Sequence, residues 1–170
     1  MSRAPLGGHD DERRVEELLG EWARSWSQAN SLLGVEHQPI ADDRGHFHWL
    51  VRLRSDEREV ITVWLALRQR TMHVECEIAP APEMNVEEIY RFVLAKNAEL
   101  RELHVALGPE AGLYLMTHVP INELTIERLD EVMGAALVYV DELSPTIMTK
   151  GFSWFRRRPR RDRPTGSVEQ

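Results

Sequence analysis

Phe47-His48-Trp49-Leu50-Val51-Arg52-Leu53-Arg54, Val60-Ile61-Thr62-Val63-Trp64-Leu65-Ala66-Leu67 and Met72-His73-Val74-Glu75-Cys76-Glu77-Ile78 crowd three strand-like runs into residues 47–78. In the first run, Phe47, Trp49, Val51 and Leu53 alternate with mostly polar neighbours. The second is almost wholly apolar, as a central strand is. In the third, Met72, Val74, Cys76 and Ile78 alternate strictly with His73, Glu75 and Glu77, which predicts one buried and one solvated face. Ser55 to Glu59 is a polar turn, and Gln69-Arg70 leaves room only for a tight hairpin connection. Links this short join antiparallel neighbours.

Outward from this core the period changes. Upstream, Val15, Leu18, Leu19, Trp22, Trp26 and Leu33 fall on one face of a helix that Asp10 or Asp11 caps and Gly34 ends. Residues 35–45, with Pro39, Asp42, Asp43 and Gly45, read as a loop. Downstream, Ala79-Pro80-Ala81-Pro82 breaks the strand, and Val86, Ile89, Tyr90, Val93 and Leu94 share the face of a second helix. Leu103 to Leu107 and Leu113 to Val119 form a hairpin around Gly108 and Gly112, stopped by Pro120. Thr125 caps a last helix that Pro145 closes. The predicted order is α-β-β-β-α-β-β-α. It defines an α+β domain with an antiparallel sheet of about five strands and helices packed on one face. Residues 1–10 read as a flexible leader, 11–150 as a single domain, and 151–170 as an aromatic and Arg-rich tail, disordered in expectation, with Gly151 as its hinge.

A length of 170 residues suits one domain. Cys76 is the only cysteine, so neither an internal disulfide nor a cysteine-based zinc site is available. No apolar h-region follows Met1, and no run approaches the length of a membrane span, so a cytoplasmic protein is expected. The net charge of −7 is uneven: residues 1–155 carry −11, whereas 156–170 carry six Arg against Asp162 and Glu169. An acidic body argues against nucleic-acid binding by the folded part.

The order of elements resembles the YbjN family of bacterial sensory transduction regulators, and the class I chaperones of type III secretion that share its fold. The residues that carry the resemblance are Val63-Trp64-Leu65-Ala66-Leu67, the Ile89 to Asn97 helix, Leu113-Tyr114-Leu115, and the Val119 to Thr125 junction that leads into Ile126-Glu127-Arg128-Leu129. It spans roughly residues 12–148. It implies a non-enzymatic, dimeric module that binds another protein, chaperone-like or as a regulatory adaptor, and it brings no catalytic residues with it.

The residues themselves point the same way. No Gly-x-Ser-x-Gly elbow and no phosphate-binding glycine loop is present, so no catalytic or cofactor-binding residue is expected. His46 and His48 share a strand face, and His73, Glu75 and Glu77 line a neighbouring one. Imidazole and carboxylate suit divalent metals, but the ordinary reading is a solvated sheet face, and no metal is expected. Cys76, on the apolar side of its strand, reads as a small buried hydrophobe. Trp22 and Trp26 lie four apart on the first helix, as core residues or, where half exposed, as anchors for a partner. Trp154 with Arg156, Arg157 and Arg158 sets an aromatic ring beside clustered cations. That is suited to an anionic membrane or nucleic acid, or simply to a solubilising tail. An alternative function is a sensory domain holding a small ligand between sheet and helices.

Overall fold

The structure is a computed structural model that describes residues 9–27, 31–38 and 46–154. Their order is α1 (His9–Ser27), β1 (Leu32–Gln38), β2 (Phe47–Ser55), β3 (Glu59–Arg68), β4 (Thr71–Ala79), α2 (Val86–Asn97), β5 (His104–Leu107), β6 (Leu113–Pro120) and α3 (Ile126–Gly151). One antiparallel sheet runs β1-β2-β3-β4-β6-β5. The fold class is the one the sequence predicts, with six strands in place of about five.

The added strand is β1. The apolar spacing of α1 continues by coincidence through Leu33, but the helix ends at Ser27 and Leu32–Gln38 pairs with β2. Glu36, His37 and Gln38 have little intrinsic strand preference, so tertiary contacts decide the conformation. Arg52 donates to Glu36 at 2.7 Å on one face. On the other, the His37 ring stacks on Trp49 at 4.8 Å, within ion-pair distance of Glu12 and Glu16 on α1.

Trp49, Val51, Leu53, Val63, Leu65, Leu67, Met72, Val74, Cys76 and Ile78 share the face covered by α1 and α3, and are buried. Thr125 caps α3 as predicted, its side chain accepting from the Arg128 N–H at 3.1 Å. Pro145 does not close the helix, which continues to Gly151. An internal proline withdraws one backbone hydrogen bond and costs about 3 kcal/mol. Burial of Leu143, Ile147 and Phe152 around it offsets that cost. Asp141 ties the same stretch to the β2–β3 turn, accepting from Ser55 Oγ and from the Glu57 N–H at 3.3 Å.

Gly151 is not a hinge. It is buried, and a Cβ there would meet Ile89 at 3.0 Å and Pro82 at 3.3 Å. Its carbonyl accepts from the N–H groups of Glu83 and Met84. The packed body therefore runs through Phe152.

Asn97 occupies the outer edge of β5. Its amide donates to the Val105 carbonyl at 3.0 Å and accepts from the Val105 N–H at 2.7 Å, as a paired strand would. An exposed sheet edge is a template for unwanted pairing, and here a side chain fills part of it.

Candidate functional site

The face of the sheet turned away from the helices is built by the registers alone. Along one row Gln38, His48, Ala66, His73 and His118 are successive neighbours on β1, β2, β3, β4 and β6. The next row is Glu36, Leu50, Trp64, Glu75, Met116 and, on β5, His104. Side chains two apart on a strand share a face, so Trp64, Ala66 and Arg68 line up along β3. Ala66 is thus a methyl group ringed by His48, His73, Trp64 and Arg68. The shortfall of side-chain volume leaves a cleft of about 240 Å³ lined by Gln38, His48, Trp64, Ala66, Arg68, His73 and Glu75.

Trp64 is 41% exposed although it stands in the middle of a central strand. His73, expected on a solvated face, is instead buried. Both its ring nitrogens are engaged: Nδ1 lies 2.8 Å from His118 Nε2, and Nε2 lies 3.0 Å from Glu75 Oε2. A carboxylate only accepts, so Nε2–H donates to Glu75, and the facing nitrogens of the two imidazoles share one proton. A second proton would set two N–H groups head to head. The hydrogen bond from His73 holds the Glu75 carboxyl below its ordinary value of 4.5, against the opposing effect of burial. Loss of solvent, then the neighbouring His73, Arg68 and His104, lower His118 from 6.5.

Among the described residues, the cleft lining contains no serine, threonine, cysteine or lysine. Cys76 lies on the covered face, where burial pushes its thiol up to about 12 and keeps it a thiol at neutral pH. Among the described residues, no group of three or more His, Cys, Asp or Glu side chains is arranged to hold a metal ion. His46 and His48 stand edge to face, with ring centres 6.5 Å apart.

The other predicted positions are scattered. Trp22 is fully buried and belongs to the core, so it lies on no surface of the folded chain. Trp26 is partly buried, its ring 5.0 Å from that of Trp22 and its Nε1 donating to Asp130 on α3. Trp154 is 46% exposed, with its ring 5.9 Å from Phe152 just beyond α3. Arg156, Arg157 and Arg158 lie outside the described residues.

Trp64 and Ala66 are the residues that the sequence reading missed. The continuous apolar run of β3 hides which of its faces is open. The alternation of β4 and the two-residue turn at Gln69-Arg70 contain the answer, since together they set Trp64 opposite Glu75 and Ala66 opposite His73.

No family model matches the chain. It is 26% identical over 125 residues to an uncharacterised protein of Mycobacterium leprae, covering 74% of this chain and 67% of that one. It is 25% identical over 103 residues to uncharacterised proteins of Mycobacterium bovis and Mycobacterium tuberculosis, covering 61% of this chain and 56% of theirs. Among solved structures, the ExsC-ExsE complex matches with a TM-score of 0.52 at 17% identity, over 79% of this chain and 94% of the matched one. The Yersinia pestis type III secretion chaperone SycH, in complex with a stable fragment of YscM2, matches at 0.50 and 20%, over 75% and 98%. The HopA1-SchA chaperone-effector complex matches at 0.50 and 13%, over 77% and 93%. These likenesses establish a type III secretion chaperone-like fold.

Proposed function

We propose that this chain is a protein-binding module, chaperone-like or a regulatory adaptor, that carries out no chemistry and holds a segment of another protein on its open sheet face. The observation that carries the reading is Trp64, a large aromatic side chain 41% exposed at the centre of a six-stranded sheet, with Leu50 and Met116 in the same row. An exposed aromatic group beside smaller apolar groups is the usual anchor of a protein interface. The matched folds add support, since those structures are complexes with a second protein.

The finer form of the proposal is a cytoplasmic homodimer of YbjN type. Leu94, 67% exposed on α2, and Val86 near the start of that helix supply apolar surface for pairing on the helical layer. The alternative of a small ligand between sheet and helices gains no support from the 240 Å³ cleft, which lies on the opposite side of the sheet.

Affinity capture from extract of the native host, with the full chain as bait, tests the function. One or a few proteins retained in stoichiometric amount is the expected result. Retention of no protein above the level of an unrelated bait, from extracts of several growth conditions, overturns the reading. Sedimentation equilibrium separately tests the dimer.

A further inference from the structure

We infer that the hollow over Ala66 is an anchor pocket for an extended acidic segment, which places one bulky apolar side chain against Trp64 and a neighbouring carboxylate against Arg68. This inference rests on the protein-binding reading and names the chemistry of the partner.

The size of the hollow selects a side chain over a free metabolite. An enclosed apolar space of about 150 Å³ takes a benzene ring, whereas drug-sized ligands occupy about 300–1,000 Å³. At about 240 Å³, the cleft fits one aromatic or branched side chain with part of its backbone. The shape agrees. Ala66 is the floor, Trp64 is an apolar wall, and the imidazoles of His48 and His73 flank the floor on the adjacent strands.

The charge follows from who is already paired. Among the described residues, Glu75 is the single carboxylate in the lining, and His73 donates to it. Arg68, at the mouth, is exposed and close enough to act on the ionisation of both Glu75 and His118. Among the described residues, however, it forms no hydrogen bond or ion pair. Arg52, on β2 opposite Thr62 and on the same face, is by contrast already held by Glu36 at 2.7 Å. On a body whose overall charge is strongly negative, the rim of the hollow therefore presents an uncommitted guanidinium. A guanidinium prefers a carboxylate in bidentate geometry. A basic segment would meet Arg68 with like charge, and Glu75, the carboxylate it would find in the lining, already accepts from His73.

The occupant lies across the face and does not extend the sheet. Most of the hollow stands on β2, β3 and β4, which are each paired on both sides and have no free backbone edge; β1, which contributes Gln38, is the edge strand. Affinity then comes from side-chain burial and charge, and it weakens with added salt.

The test uses the full chain and three fluorescein-labelled peptides in Gly-Ser flanks, with centres Asp-Phe-Asp, Lys-Phe-Lys and Asp-Ala-Asp. Binding is read by anisotropy and by the shift of the Trp64 indole resonance. The expected result is selective binding of Asp-Phe-Asp, with each of the other two weaker by about tenfold or more. Ala66→Leu, which fills the hollow, and Arg68→Glu, which reverses the rim, each abolish that preference while the melting temperature stays near that of the parent. A milder Ala66→Val serves if the leucine variant fails to fold. Equal binding of the three peptides, no binding up to millimolar concentration, or a preference that survives both substitutions overturns the inference. Capture of a native protein that is indifferent to Ala66→Leu and Arg68→Glu also overturns it, but leaves the protein-binding reading intact. Failure of the parent chain to capture any protein overturns the reading itself.

Discussion

Leu65 and Trp64 are adjacent in the chain and belong to opposite sides of one sheet. Leu65 is wholly buried among residues of the covered face, and Trp64 is 41% exposed on the open face. The covered face is closed by α1 and α3 and has the composition of a core: Trp49, Val51, Val63, Val74 and Ile78, all essentially without solvent contact. The open face mixes Leu50, Trp64, Ala66 and Met116 with imidazoles, carboxylates and guanidinium groups. The first arrangement maximises apolar burial. The second buries Leu50 and Ala66 but leaves Trp64 and Met116 only partly covered, with polar groups within reach. The difference between the two faces therefore separates the residues that close the core from those that stay within reach of solvent.

The largest expected effect breaks the core side of this comparison. Leu65→Ala should lower the stability by about 2–5 kcal/mol, the range for a fully buried leucine, in urea unfolding. Trp64→Ala, one residue away, should change it by no more than about 1 kcal/mol. Equal losses would mean that the two faces do not divide the work as described. Asn97→Ala comes next. It leaves the N–H and C=O of Val105 without their side-chain partner, and it should cost about 1–3 kcal/mol and speed exchange of the Val105 amide.

Smaller effects come from titration on the open face. The folded-state pKa of His118 is depressed, so its contribution is present above 6.5 and is lost as the pH falls below it. The folded-state pKa of Glu75 is also depressed, so its contribution is present above 4.5 and is lost as the pH falls below that value. Both act in one direction: stability declines on acidification, first below 6.5 and again below 4.5. Replacing His118 by Asn should flatten the upper step in pH-dependent thermal melts. The smallest effect lies on the covered side. Cys76, buried and with its thiol raised to about 12, should resist alkylation at pH 8 in the native protein and react at once in denaturant.

Most of the scaffold was legible in the sequence, because β2, β4 and the hairpin of β5 and β6 bear their alternation openly, and Thr125 is a strong cap. What was hidden depended on contacts between distant segments. β1 forms because β2 and α1 receive it, although Gly34, Glu36 and Gln38 carry little strand signal of their own. Pro145 stays helical because its neighbours are buried. His73 looked solvated from the alternation of β4. It is enclosed by His118, a residue 45 positions away, and by Glu75. The cleft was the least legible feature. It is made by what Ala66 lacks relative to its cross-strand neighbours, and that is visible only once the register is known.

In the proposed function the open face, and not the helical layer, receives another protein. Paired captures from native-host extract with the parent chain, Trp64→Glu and Val138→Glu test it most directly, since Val138 is 59% exposed on α3. The expected result is that the parent and Val138→Glu retain the same stoichiometric partner and that Trp64→Glu loses it while keeping its melting temperature. Undiminished retention by Trp64→Glu, or loss confined to Val138→Glu, would contradict it.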